Sequence, residues 1–345
     1  MSFALPPIDK TTSFKYKPAI DSLRAVAVIF VIMHHTNAIR VPGGGIGVDL
    51  FFSISGFLIT ALLVQEYSQN KKINIIKFYG RRALRLFPAL WVMLVVSYFF
   101  IKPNFLVIYS VLFYFSNWAT VAGVDLGPYG HTWSLSVEEQ FYMVWVLLVI
   151  GFLYLGSVFS RRYPHRVLLL STVFFTVISV THRILLLKHG ELDWAYNGTD
   201  ARAYGFLLGG IAALLIDFFK KYYSTWRFKI VSFLSFLIIC KFALTHSITG
   251  TVYDSLIVSV VCTQVVLWCN FNSANTIFKN KYLVFTGKIS YAIYLWHFPL
   301  IFILPHIESK YLFFIIFSLS FLIACLSWFL VEKPLTSKLK KFVSS

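Results

Sequence analysis

Residues 31–52 read VIMHHTNAIRVPGGGIGVDLFF. An apolar run closes on two adjacent histidines, His34 and His35. Four glycines (Gly43, Gly44, Gly45 and Gly47) then turn the chain, and Asp49 stands just inside the next apolar run. Two long apolar runs joined by a tight turn predict a pair of helices that cross a membrane. Ionisable groups inside such runs are costly to desolvate, so each is a candidate for function.

The composition points the same way. Of 345 residues, 58% are hydrophobic, 19% aromatic and only 13% charged, and the mean hydropathy is +0.73. A soluble domain carries about 25% charged residues. Apolar runs long enough to span a bilayer, which takes about 20 residues each, recur along the chain. The predicted fold class is therefore all-α and polytopic. About ten transmembrane helices are expected, near 22–41, 46–65, 86–102, 135–156, 166–187, 202–219, 228–246, 251–270, 288–306 and 311–331. The chain reads as one integral-membrane domain over 1–345, with no appended soluble domain, repeat or cleaved signal peptide.

The net charge of +17 would suggest nucleic acid in a soluble chain. Here it reads as topology, because lysine and arginine accumulate in cytoplasmic loops, where they also meet anionic lipid headgroups. With the N-terminus inside and each span alternating, 24 of the 31 basic residues fall on the cytoplasmic side and 7 outside. Both termini are therefore expected in the cytoplasm. Residues 103–132 are apolar enough to pass for another crossing, but a crossing there would invert every later loop. They are expected to form a re-entrant or interfacial segment beside a cavity. The four cysteines lie in or beside apolar runs and form no metal-type pair, so neither a disulfide framework nor a metal site is predicted.

Several polar groups stand where apolar residues are expected. Arg24 and His35 are 11 residues apart, about three helical turns, and share a face, whereas His34 is rotated by about 100°. YGRRALRLFP places Arg82 and Arg85 on one side of a helix at the expected cytoplasmic start of span three, and arginine forks suit phosphate. HTWSLSVEEQFY brings His131, Glu138 and Glu139 to the expected outer end of span four. ISYAIYLWHFPL sets Tyr291, Tyr294 and His297 on one stripe, and TDARAYGFLLGG places Arg202 before the small residues Gly205 and Gly209.

The blocks IDSLRAVAVIFVIMHH, GGGIGVDLFFSISGF, RRALRLFP, TWSLSVEEQFY, SYAIYLWHFPL and VEKP, in this order from residue 20 to 334, resemble the acyltransferase-3 family of integral-membrane acyltransferases. The resemblance implies transfer of an acyl group, often acetyl, from cytoplasmic coenzyme A to a sugar hydroxyl. The acceptor would be lipid-linked or polymeric glycan, such as O-antigen, at a bacterial cytoplasmic (inner) membrane. It implies His35 as the catalytic histidine and Arg24, Arg82 and Arg85 as residues for the acetyl-CoA donor. Glu138 is then the candidate to orient the imidazole or the acceptor hydroxyl, with Asp49 second. Tyr291, Tyr294, His297 and Arg202 are expected to bind substrate. Some members add an extracytoplasmic domain, so a separate protein is an alternative route to completing the transfer. The competing reading is a proton-coupled transporter or flippase of a lipid-linked sugar, which intramembrane His, Glu and Arg would suit. A sensor or scaffold with structural ion pairs is a third.

Overall fold

In the computed structural model, which describes residues 16–37, 41–159, 164–245, 252–272, 277–304 and 309–334, Pro18 opens the first helix where its fixed φ costs nothing. This helix, α1 (Pro18–Thr36), ends at Asn37, whose φ of 49° is left-handed. Hydrogen bonds Gly44 N to Val41 O and Ile46 N to Gly43 O wind the turn into α2 (Ile46–Asn70). The chain continues through α3 (Ile75–Ile101), α4 (Phe105–Leu112) and α5 (Ser116–Val121). A 3-10 segment, Gly127–Thr132, leads into α6 (Trp133–Phe159), followed by α7 (Pro164–Lys188), α8 (Leu192–Asn197) and α9 (Thr199–Leu214). Then come α10 (Ile216–Lys220), α11 (Trp226–Thr245), α12 (Val252–Phe271), α13 (Lys281–Lys288), α14 (Ser290–Ile303) and α15 (Ser309–Ser327), the last running into a π-helical turn at Trp328–Glu332. No strand occurs among the described residues.

Among the described residues, seven helices are long and apolar enough to cross a membrane: α1, α2, α3, α6, α7, α11 and α15. The expected spans at 202–219, 251–270 and 288–306 fall on α9 with α10, on α12 and on α14. The first of these is broken at Leu215, and the last is preceded by the separate short helix α13. Helix α3 starts at Ile75, eleven residues before the expected 86, because Asn74 caps it by accepting from Lys77 N at 2.8 Å. Arg82 and Arg85 thus lie within the helix. Of the basic residues used to orient the chain, Lys10, Lys15, Arg161, Arg162, Lys338, Lys340 and Lys341 lie outside the described residues.

Helix α2 is the centre of the bundle. Its most apolar window is 78% buried, against 17% for α15, and it contributes to both large buried clusters, with Phe52 and Ile59 in one and Leu50 and Ile54 in the other. Around it, α3, α7 and α11 expose Phe99, Phe174 and Phe233, as lipid-facing helices do. The contact of α2 with α9 is close enough to need glycine. A Cβ on Gly56 would lie 2.7 Å from Phe206 Cα, and one on Gly209 would lie 2.8 Å from Phe57 N.

Residues 103–132 do not cross. Their helices have eight and six residues, too few for a bilayer. The Tyr114 ring packs 5.9 Å from Phe87, whereas the Tyr129 hydroxyl meets Ser97 Oγ at 2.7 Å. Ser97 is ten residues, about 15 Å, further along α3 than Phe87. The segment therefore leaves the end of α3, dips back along it to Phe87 and returns towards Ser97, as a re-entrant loop does. Ser116 Oγ to Ser136 Oγ at 2.7 Å and Trp118 Nε1 to Gln140 Oε1 at 2.9 Å tie the dip to α6.

Candidate active site

A pocket opens between α1, α2, α3, α6 and α14. At one end it is basic, with Arg24, Arg82 and Arg85 in its wall. Arg24 lies 3.8 Å from Asp21, its neighbour one turn back. Arg82 is heavily engaged. Its Nη2 donates to Glu139 at 2.5 Å, Glu138 lies at 3.9 Å, and its guanidinium sits 3.6 Å over the Tyr142 ring. Arg85 is exposed to the pocket, with Asp21 and Glu332 as its acidic neighbours.

The position of the two glutamates corrects the expectation that they mark the outer end of span four. Glu138 Oε1 accepts from Ser55 at 2.7 Å and from Tyr142 at 2.8 Å. Ser55 is nine residues from the start of α2 and fifteen from its end, about 14 and 22 Å. The carboxylates therefore meet the middle of α2, and Arg82 joins them from seven residues inside α3. The re-entrant loop is the reason: it lets α6 begin deep beside α3 and carries Glu138 down to the arginines.

At its other end the pocket is closed by Tyr294, whose hydroxyl bonds Ser134 Oγ at 2.7 Å and His131 O at 2.9 Å. Behind this ring lies a cluster of imidazoles. His35 Nδ1 meets His297 Nε2 at 2.8 Å, with the ring planes 17° apart and 5.1 Å between centroids. His297 Nδ1 lies 2.5 Å from Tyr294 O. His131 stands edge-on to His297 at 5.1 Å, and Phe298 packs 4.7 Å from His35. His297 is fully buried and His131 is 2% exposed, whereas His35 is half-buried. His34 turns away, towards the backbone of Val41 and Pro42, as the helical phase requires. The basic end and the imidazoles are close neighbours: Phe51 packs on Tyr294 at 6.3 Å, and Ser55, which holds Glu138, is one turn or about 6 Å along the same helix.

The expected site residues thus divide. The pocket wall unites Arg24, Arg82, Arg85, Glu138, Tyr291 and Tyr294. Tyr291 also bonds Leu86 O at 3.2 Å and Tyr114 at 3.3 Å. His35 and His297 adjoin the pocket across Tyr294. Asp49 and Arg202 lie elsewhere. They form a 2.9 Å ion pair, each side chain 2% exposed, between α2 and α9, inside a cage of Phe52, Trp133 and Tyr196 rings 5.5–5.6 Å from the guanidinium. His35 is bonded to His297, not to Glu138 or Asp49. Ser55, Ser134 and Tyr142 had no signal in the sequence, because a hydroxyl in an apolar run is commonplace. His131, flagged beside the glutamates, joins the imidazoles instead. Among the described residues no group of three potential ligands could hold a metal ion.

A family model described as an acyltransferase domain matches residues 17–332. The chain belongs to that acyltransferase family. Among curated proteins, this acyltransferase-family chain is 33% identical over 370 residues to O-acetyltransferase OatA of Staphylococcus aureus strain NCTC 8325, and equally to that of strain COL. Each alignment covers 96% of this chain but 59% of the relative, so the chain spans little more than half the length of the proteins it matches. No solved structure matches.

Proposed function

We propose that the chain is a membrane O-acyltransferase that moves an acetyl or other short acyl group from cytoplasmic acyl-CoA to a sugar hydroxyl of a surface glycan. The observation that carries this reading is one pocket with three arginines at one end and the hydrogen-bonded His35–His297 pair just beyond the other. The donor's phosphates would lie against Arg24 and Arg85, with Arg82 and Glu139 as a braced wall. A glycan hydroxyl would reach the half-buried face of His35. The His35 imidazole then takes the hydroxyl proton as the oxygen attacks the thioester carbonyl. The C–S bond breaks, and the same proton passes to the departing thiolate. Glu138 shapes the pocket through Ser55 and Tyr142 rather than by orienting His35. The charge distribution supports a multi-pass protein of the bacterial cytoplasmic membrane with both termini inside, in contact with membrane lipids, acyl-CoA and a lipid-linked or polymeric saccharide acceptor.

The test is base-labile acetate on surface polysaccharide in cells with and without the protein, together with CoA release by purified protein given labelled acetyl-CoA and oligosaccharides. At matched membrane levels, His35→Ala should lower acetylation about 10²–10⁴-fold, and His34→Ala should stay near wild type. Transport of a lipid-linked sugar without thioester consumption would establish the transporter instead, and a His34 dependence without a His35 dependence would overturn the assignment of the base.

A further inference from the structure

We infer that His297 is a positioning residue that fixes the tautomer of His35 and leaves its outward nitrogen free to accept a proton. The inference rests on His35 being the general base. It starts from a donor–acceptor constraint. A backbone carbonyl can only accept, so the 2.5 Å contact of His297 Nδ1 with Tyr294 O requires the proton on Nδ1. A neutral His297 then presents a bare lone pair at Nε2. That atom lies 2.8 Å from His35 Nδ1, so His35 must be the donor of this bond. With its proton on Nδ1, a neutral His35 has its own lone pair at Nε2, the position a general base needs.

The surroundings favour the neutral pair. His297 is fully buried, its ring plane lies within 17° of that of His35, and the rings nearest the pair are His131, His34, Tyr294 and Phe298, none of them a carboxylate. A cation there in the resting state would lack a counter-charge. Asp and Glu commonly hold a catalytic imidazole in its tautomer; here a second imidazole, itself anchored on a carbonyl, does so. When His35 takes the hydroxyl proton it becomes a stronger donor, and the waiting His297 lone pair stabilises it without gaining or losing a proton. The helical stripe suggested that His297 binds substrate. Its complete burial behind His35 places it one step back from the chemistry.

The experiment compares His297→Leu, His297→Gln and His297→Asn in the full chain in nanodiscs, with acetyl-CoA as donor and the oligosaccharide that gives the fastest turnover. Glutamine can set a carbonyl oxygen where Nε2 stands, whereas asparagine is too short to reach His35. His297→Leu and His297→Asn should lower kcat on the order of 10²-fold with the acetyl-CoA KM within about threefold, and His297→Gln should recover most of kcat. The two polar variants bury the same chemistry, so the comparison holds even if the leucine variant fails to fold. Wild-type kcat in either the leucine or the asparagine variant would overturn the inference, as would a loss confined to KM or equal loss in glutamine and asparagine. His35→Ala in the same assay separates the two levels. If it turns over like wild type, the general-base reading itself falls; if it is inactive while His297→Asn is not, only the role of His297 falls.

Discussion

Arg82 and Arg85 sit three residues apart on one helix and were expected to bind phosphate together, yet their surroundings differ. Arg82 already spends its charge on Glu139 at 2.5 Å and its face on Tyr142; Arg85 is open to the pocket. Arg85→Ala should therefore raise the acetyl-CoA KM about tenfold or more with little change in folding, since a charge-assisted contact is worth about 1.5–3 kcal/mol. Lysine should restore only part, for want of the fork. Arg82→Ala should instead lower the melting temperature, by leaving Glu139 half-buried and unpaired. Isothermal binding of acetyl-CoA and thermal melting in detergent distinguish the two, and equal effects on both readouts would refute the division. At this scale the sequence was informative where local geometry decides. The 11-residue interval from Arg24 singled out His35 over His34. It was silent where distant segments meet, as at His35 with His297, 262 residues apart, or Ser55 with Glu138, 83 apart.

The long helices were legible because a continuous apolar run leaves few other options: α1, α2, α6 and α7 lie within a few residues of the expected spans. What escaped were features made by caps and breaks. Asn74 starts α3 eleven residues early, Leu215 divides α9 from α10, and α13 stands apart from α14. Their polar residues carry no periodic signal of their own. The α2–α9 contact shows why TDARAYGFLLGG needs its glycines, and why Asp49 and Arg202 meet. With the backbones in touch at Gly56 and Gly209, the facing side chains are pressed into one buried pair. Gly56→Leu should cost more than the 1–3 kcal/mol usual for an overpacked core, because the obstruction is backbone and cannot rotate away. The expected readout is loss of folded protein in fluorescence-detected size exclusion. A monodisperse variant with wild-type melting would show that the two helices can separate freely.

For the whole molecule, the 24-to-7 charge division predicts a single orientation. Asp193 and Ser224 are both exposed and lie on opposite sides of the expected span at 202–219. In a background with Cys240 and Cys325 changed to serine, Asp193→Cys should react with an impermeant thiol reagent applied outside intact cells, and Ser224→Cys should not. Labelling of the second alone would invert the protein. In that orientation the imidazole cluster would have a second duty. The rings of His35, His297, His131, Tyr294 and Phe298 stand 4.7–5.9 Å apart, at the end of the pocket that Tyr294 lines. Linked histidines are good proton conductors, and a conductor there would short-circuit the gradient that energises the cell. The hydrogen bond from His297 to Tyr294 O ends the series on an atom that accepts a bond but cannot hand a proton onward. In the proposed reaction an acyl group would thus be exchanged at this point while the membrane stays insulated.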